Sequence, residues 1–114
     1  MNYIIFDLEW NQPYSNDISF MKRTGMPITG EIIQIGAVKL NENMEIVDTF
    51  TMFVKPQFLH HMHKHVKELT GITQRDLSQG VPFKLAYTHF QHWCGSNYML
   101  LSWVADDILR LREN

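Results

Sequence analysis

Short apolar runs separated by polar turns dominate the first half of the chain. Residues 3–6, 31–40 and 45–54 are rich in β-branched and aromatic side chains, and the first run ends abruptly in acids. Residues 41–44 are typical of a hairpin loop, and Pro56 ends the pairing. Residues 11–30 hold two prolines and two glycines without a clear period, which predicts a long functional loop. This half of the chain therefore predicts three strands, the last two joined as a hairpin.

A helical pattern begins near residue 60. Residues 60–70 are predicted to form a helix that ends at Gly71, a frequent residue just past a helix C-terminus. Thr73 and Asp76 have the spacing of a capping box, which predicts the start of a second, short helix.

The clearest helix is predicted over residues 82–94, with Pro82 in its first turn. Its apolar positions recur at helical spacing: Phe83, Ala86, Tyr87, Phe90, Trp93 and Cys94. Residues 98–103 then predict a fourth strand, and a last helix begins at Asp106 with acids in its first turn. Three strands followed by helices and a further strand predict an α/β fold with a mixed sheet.

Composition restricts the class of protein. The 114 residues are 45% hydrophobic and 19% charged, which indicates one globular domain. No apolar run approaches the roughly 20 residues that cross a bilayer, so no membrane contact is expected. Cys94 is the single cysteine, which excludes an intrachain disulfide and favours the reducing cytoplasm. The net charge of −2 argues against a protein that wraps duplex with a basic face, but it permits nucleic-acid chemistry if metal ions supply the positive charge.

Two groups of acids are candidates for chemistry. Asp7 and Glu9 lie at the end of the first strand, and strand alternation places both carboxylates on one side, roughly 6.6 Å apart along the backbone. Asp106 and Asp107 follow the fourth strand. Carboxylates that converge at one end of a sheet suit Mg²⁺, although each group taken alone is better explained by solvated acids at a turn or at a helix start.

The histidines offer a competing metal site. His60, His61, His63 and His65 crowd one predicted helix, but their spacing distributes them around it, which favours solvated side chains over a transition-metal centre. His89 and His92 fall on the polar side of the helix over residues 82–94, and Cys94 falls on its apolar side as a core residue. Trp10 beside the acids is interpreted either as a base-stacking residue or as packed core.

Several segments in order resemble the DEDD superfamily of 3′→5′ exonucleases, which includes proofreading exonucleases, oligoribonuclease and ribonuclease T. The likeness is greatest to the histone-mRNA-exonuclease and KinA-inhibitor-pathway type. The matching segments are FDLEWN, EIIQIGAVKL, FVKP, ELTGIT, FQHWCG and LLSWVADDILRL. The resemblance implies a ribonuclease H-like fold, with three antiparallel strands, a parallel fourth and flanking helices.

The resemblance also implies a function. Asp7, Glu9 and Asp107 would hold two Mg²⁺ or Mn²⁺ ions that hydrolyse phosphodiester bonds at the 3′ end of single-stranded RNA or DNA. Leu8, Trp10 and the segment Gly71, Ile72 and Thr73 would hold the terminal nucleotide.

Two departures from the family pattern modify these expectations. Val104 stands where relatives often have glycine, which makes Asp106 an alternative to Asp107. The segment that carries the family's histidine or tyrosine and its last aspartate is not found after the fourth strand. We therefore expect a C-terminally incomplete domain that lacks the last strand and helix, cleaves weakly or not at all, and self-associates through an exposed sheet edge. A non-catalytic nucleic-acid-binding or interaction domain and a small histidine metal site are the alternatives, and the choice between RNA and DNA stays open.

Overall fold

The computed structural model describes residues 1–12, 30–102, 107, 110–112 and 114. The strands are β1 (Asn2–Asn11), β2 (Glu31–Leu40), β3 (Ile46–Phe53) and β4 (Tyr98–Ser102), and the helices are α1 (Lys64–Thr70), α2 (Gln74–Ser78) and α3 (Phe83–Cys94). Asp107 and residues 110–112 are helical, where the last helix was predicted. No helix in the described ranges is long and apolar enough to cross a membrane. Most of the predicted loop at residues 11–30 lies outside the described residues.

The four strands form one mixed sheet in the order β3-β2-β1-β4. β1 pairs antiparallel with β2, β2 pairs antiparallel with β3, and β4 runs parallel to β1. The predicted arrangement of three antiparallel strands and a parallel fourth, of the ribonuclease H-like kind, is therefore confirmed. β1 and β2 are the two inner strands, which accounts for the deep burial of their apolar residues.

β1 is longer than its apolar pattern predicts. The prediction for residues 3–6 stopped at the acids, whereas the strand continues to Asn11. Pairing with β2 explains the difference, because Asp7 lies opposite Gly36 and Glu9 opposite Gln34, and the ladder continues past one β-bulge to Asn11 opposite Glu31. A strand can carry acids on its solvated face while Leu8, which points the other way, stays buried.

The sheet separates two apolar clusters. On one face, Ile4, Phe6 and Leu8 pack with the buried residues of α3, which are Ala86, Phe90 and Cys94. The ring of Phe90 lies 6.3 Å from that of Phe6 and 5.5 Å from that of Phe50, measured between centroids. The apolar face predicted for this helix is confirmed, and His89 and His92 are exposed as expected.

The second cluster joins the hairpin to the two short helices. It consists of Ile33, Val66, Ile72 and Leu77. Ile32 belongs to the first cluster and Ile33 to the second, as expected for adjacent strand residues, which point to opposite faces. The β-bulge opposite Glu9 and Trp10, where the register with β2 shifts by one residue, explains why Ile33 and Ile35 lie in different clusters although they are two residues apart.

Both predicted helix signals after residue 70 are confirmed, whereas the start of the first helix was predicted too early. Gly71 ends α1 with a φ of 73°, and Thr73 and Asp76 form both hydrogen bonds of a capping box at α2. α1 begins at Lys64 instead of residue 60, because buried side chains of the sheet bind the backbone of residues 57–63, as described below.

Asp48 is the polar exception on the apolar side of β3. Its Oδ2 accepts a hydrogen bond of 2.9 Å from the indole Nε1 of Trp93, and Lys39 Nζ lies 4.5 Å from the centre of the same ring. The hydrogen bond from Trp93 lowers the pKa of Asp48, and the hydrogen bond from the backbone N–H of Thr49 makes a smaller contribution. Asp48 therefore fixes the outer edge of α3 to the hairpin.

Candidate active site

The central strand supplies two of the three carboxylates of the site. Asp7 and Glu9 project from the same side of β1, with Asp7 exposed and Glu9 half-buried. Leu8 lies between them on the opposite side and is 3% exposed. The apolar side of β1 thus anchors the strand in the core and holds the two acids at a fixed spacing.

Asp107 supplies the third carboxylate from beyond the neighbouring strand. Parallel pairing places Ser102, the last residue of β4, opposite Phe6. The Ser102 hydroxyl donates a 2.7 Å hydrogen bond to Oδ2 of Asp107, and Asp107 is 1% exposed. Trp103, Val104 and Asp106 lie outside the described residues, so the prediction that Asp106 is the alternative stays open.

The three carboxylates border one cavity of about 290 Å³. The acids and Leu8, Trp10 and Gln12 form one side of it, and α1 forms the other side. The described lining residues of α1 are His65, Val66, Leu69 and Thr70. A cavity of this volume suits a single small group rather than a duplex.

The acids repel each other across the cavity. Burial, and after it the negative charge of Asp107, raises the pKa of Asp7 above its usual 3.8. Burial, and after it the charges of Asp7 and Asp107, raises the pKa of Glu9 above its usual 4.5. Asp7 remains exposed, so its desolvation is partial and water screens the repulsion. The site is thus an electronegative cavity in which a cation lowers the free energy.

The donor chemistry fits a hard divalent cation. All three groups are carboxylates, the ligands that Mg²⁺ and Mn²⁺ prefer. Among the described residues, no three His, Cys, Asp or Glu side chains form a complete shell around a single ion.

The four clustered histidines have separate positions and partners. His60 and His61 are exposed, and their carbonyl oxygens accept hydrogen bonds from Gln74 and Asn11. His63 caps α1, because its Nδ1 accepts from the backbone N–H of His65 at 3.1 Å. His65 alone of the four lines the acidic cavity.

The predicted nucleotide-binding residues divide into two groups. Leu8 and Trp10 line the cavity, and the guanidinium of Arg110 lies 5.2 Å from the centre of the Trp10 ring. Gly71, Ile72 and Thr73 are not among the described residues that line it. Ile72 is 5% exposed in the second core cluster, and Thr73 caps α2, so the contacts of these two residues are structural.

Sequence reasoning missed the wall of the cavity that α1 provides. His65 and Leu69 are four residues apart and face the acids together with Thr70, and Leu69 is 76% exposed. A helical i, i+4 pair with an apolar residue on the solvent side, directly before Gly71, was the available signal.

A family model described as exonuclease, of the RNase T type, matches residues 4–105. The chain belongs to the RNase T exonuclease family. The predicted relationship to DEDD 3′→5′ exonucleases is therefore confirmed.

Individual members of the exonuclease family support this assignment. ERI1 exoribonuclease 2 of Xenopus laevis is 39% identical over 72 residues, which are 62% of this chain and 10% of that protein. The probable 3′-5′ exonuclease KapD of Bacillus subtilis strain 168 is 31% identical over 81 residues, 71% of this chain and 36% of that protein. The nuclease domain of 3′hExo, a DEDDh family member solved with rAMP bound, has a TM-score of 0.80 and 26% identity over 98% of this chain and 56% of that one. The chain thus spans about a tenth and about a third of the two curated relatives.

The exonuclease match contains Asp7 and Glu9 but ends before Asp107. The structure places Asp107 beside them, through the parallel pairing of β4 with β1 and the hydrogen bond from Ser102. The family match thus includes Asp7 and Glu9, and the fold adds Asp107 to the same acidic cavity.

Proposed function

We propose that this chain forms a divalent-metal-dependent 3′→5′ exonuclease site that acts on the 3′ end of a single-stranded nucleic acid. The observation that carries the proposal is the convergence of Asp7, Glu9 and Asp107 on one cavity whose opposite wall is α1. The exonuclease family and the repulsion among the acids support it.

Asp7, Glu9 and Asp107 would hold the Mg²⁺ or Mn²⁺ ions. When bound, such ions activate water and stabilise the charge that develops on a scissile phosphate. Asp7 is the most exposed of the three carboxylates, and its charge interacts with those of Glu9 and Asp107. Ser102 donates to Oδ2 of Asp107 and fixes the side chain, which would leave Oδ1 to bind an ion.

Leu8 and Trp10 would hold the terminal nucleotide against the acids, with His65, Leu69 and Thr70 on the facing side. Leu8 would contribute its backbone, because its side chain is buried in the core, whereas the ring of Trp10 with the exposed Leu69 opposite would suit the face of a nucleobase without regard to its identity. The same combination does not distinguish RNA from DNA, so the proposal covers both. For Gly71, Ile72 and Thr73 the proposed role is indirect, since they hold the end of α1 against α2.

We further propose that cleavage by this chain alone is slow. The described residues bring together three carboxylates, and they do not form a complete shell around one ion. A site that must close around its ions loses rate, because positioning contributes a large part of catalysis.

Cleavage of short labelled single strands tests the proposal. RNA and DNA of equal length, labelled at the 5′ end, are incubated with Mn²⁺, Mg²⁺ or EDTA, and Asp7→Ala serves as the control for contaminating nucleases. We expect slow, metal-dependent shortening from the 3′ end that Asp7→Ala abolishes. Shortening that persists in EDTA or in Asp7→Ala would contradict the assignment.

A non-catalytic nucleic-acid-binding domain is the second candidate. The incomplete shell among the described residues favours it. It predicts that labelled strands bind with the same affinity in EDTA and in Mn²⁺ and stay intact in both. The exonuclease proposal instead predicts that the metal increases the affinity, because the ions offset the repulsion between the acids and the phosphate.

We also propose that the chain self-associates through β4. Tyr98, Met99, Leu100 and Leu101 are each at least 38% exposed, and no described strand pairs with the outer edge of β4. An edge strand without charge or proline is a template for pairing with a second copy. Leu100→Lys is expected to reduce the mass measured by light scattering at high concentration to that of the monomer, while Leu85→Lys, an exposed position on α3, leaves it unchanged. Equal masses for all three proteins would contradict pairing through β4.

A further inference from the structure

Two buried polar residues face each other across the end of the β1–β2 ladder. Asn11 and Glu31 are register partners, and they are 0% and 5% exposed. Polar side chains are buried at a cost unless hydrogen bonds replace those they made with water. Among the described residues, their side-chain hydrogen bonds lead to one segment, residues 57–63, which connects β3 to α1.

Glu31 binds the first half of this segment. Its Oε2 accepts from the backbone N–H of Gln57 at 2.9 Å and of Phe58 at 3.0 Å, and its Oε1 accepts from that of Leu59 at 2.8 Å. Backbone N–H groups thus compensate the buried carboxylate. Charge-assisted bonds of this kind are stronger than neutral ones, and three of them fix three consecutive residues.

Asn11 binds the second half. Its Nδ2 donates to the carbonyl oxygen of His61 at 3.0 Å and more weakly to that of Leu59 at 3.4 Å. Its Oδ1 accepts from the backbone N–H of His63 at 2.8 Å. His63 is the residue that caps α1, so Asn11 fixes the point at which the helix begins.

These contacts connect the two walls of the cavity. β1 carries Asp7 and Glu9, and two residues further along the same strand Asn11 holds the start of α1. His65 in the first turn of α1 and Leu69 in the second line the cavity opposite the acids. The distance between the acidic wall and the helical wall therefore depends on Asn11 and Glu31, although neither residue lines the cavity.

We propose that Asn11 and Glu31 are positioning residues that set the place of α1 opposite the acids. This inference rests on the proposed function for its catalytic meaning, but the position of α1 is measurable without metal or substrate. Neither residue touches the reacting atoms, and each acts through residues 57–63.

Two nearly isosteric substitutions test the inference. Glu31→Gln turns an amide group toward backbone N–H groups, so that donor meets donor, while Asn11→Asp replaces the donating amide with an oxygen that faces two carbonyl oxygens. Cys94→Ala is the matched control, because Cys94 is buried in α3, in the other core cluster, and its truncation lowers stability without touching residues 57–63.

The first readout is the set of residual dipolar couplings of the backbone amides, in EDTA. We expect Glu31→Gln and Asn11→Asp to change the couplings of α1 relative to the sheet while those of α3 stay the same. In Cys94→Ala, the couplings of α1 should match the wild type. Unchanged α1 couplings in both loop variants, with native-like spectra, would overturn the inference. If one variant unfolds, the α1 couplings of the other variant still test the inference.

The second readout separates this inference from the proposed function. Mn²⁺ should broaden the amides of Leu8 and Glu9 in all folded proteins, and a displacement of α1 by about 1 Å, enough to impair catalysis, should reduce the broadening of His65 by roughly a third or more. Absent broadening at Leu8 and Glu9 in the wild type would contradict the metal site, while the couplings would still decide whether the two residues position α1. Normal broadening at Glu9 with unchanged broadening at His65 in both variants would overturn the positioning role alone.

Discussion

Removing a charge from the acidic cavity should stabilise the metal-free protein. The perturbation is Asp7→Asn, and it removes the group that repels both Glu9 and Asp107. Two unit charges roughly 6.6 Å apart interact by about 0.6 kcal/mol in water and by about 2.5 kcal/mol at an effective dielectric constant of 20. Because Asp7 is exposed to water, the repulsion energy lies nearer the lower of these two values. We therefore expect a gain of about 1 kcal/mol at pH 7, or about 4 °C in Tm for a chain of this size.

The dependence on pH has a defined sign. The pKa values of Asp7 and Glu9 are raised in the folded protein, so the folded protein binds protons at these groups more tightly than the unfolded chain does. The contribution of these two groups to the free energy of unfolding is fully present below their usual pKa values of 3.8 and 4.5. It is lost as the pH rises through their raised pKa values. The stability difference between Asp7→Asn and the wild type should therefore be small near pH 3.5 and grow toward pH 7.

Thermal and urea unfolding in EDTA, followed by circular dichroism from acid to neutral pH, measure this difference. Mg²⁺ or Mn²⁺ should then reverse the order, because an ion that binds only the folded wild type stabilises it by mass action. Glu68→Gln, which neutralises an exposed acid on α1, is the control and should show neither effect. If Asp7→Asn were less stable than the wild type in EDTA at pH 7, or if the difference did not change with pH, the repulsion argument would be refuted.

Three further substitutions test how the walls of the cavity are built. His63→Ala should lower the free energy of unfolding by about 1 kcal/mol through loss of the N-cap of α1, whereas His63→Asn should retain it; equal losses in urea titrations would contradict the capping role. In Gly30→Ala, the added methyl group would lie 2.6 Å from Cδ1 of Trp10 and 3.1 Å from Nε of Arg110, so we expect weaker binding of a nucleoside monophosphate by calorimetry and a loss of roughly 1–3 kcal/mol of stability. Unchanged binding would exclude Trp10 from the nucleotide site. In Gly71→Ala, the added methyl group would meet no atom within 4 Å, but the residue would have to keep a φ of 73°. We therefore expect a loss of about 1 kcal/mol in the free energy of unfolding through backbone strain alone, without a change in nucleotide binding. A larger loss of stability would mean that the end of α1 rearranges.

Local patterns predicted the elements whose residues depend on their own neighbours in sequence. The limits of β2 agree with the apolar run at residues 31–40, and the capping box at Thr73 uses only bonds within four residues. The acids at positions 7 and 9 were likewise recognisable, because strand alternation alone puts them on one side. The parallel pairing that brings Asp107 beside them is a long-range contact, and only the resemblance to a family indicated it.

The misjudged boundary has a tertiary cause. Residues 60–63 are compatible with a helix, and nothing in their own sequence keeps them out of it. The bonds from Asn11 and Glu31 hold their backbone in another conformation, and these partners are separated from them by about 30 to 50 positions. The place of His65 opposite the acids follows from the same bonds, which explains why the spacing of the histidines alone did not indicate it.

The one-residue register shift between β1 and β2 also limits how this sheet can change. On the Asp7 side of the shift, the alternating side chains of β2 pack against the hairpin and α3. On the other side of the shift, they face residues 57–63 and α1. Deleting Ile33, the extra residue at the shift, would leave Asp7 opposite Gly36 and Glu31 opposite Asn11 in a regular ladder, while it removed from the second core cluster the β2 residue that packs with Val66 of α1. The strand pairing that carries the acids and the packing that holds the opposite wall of the cavity therefore depend on different residues of β2, so the loss of one residue in this strand would alter the shape of the cavity before it altered its charge.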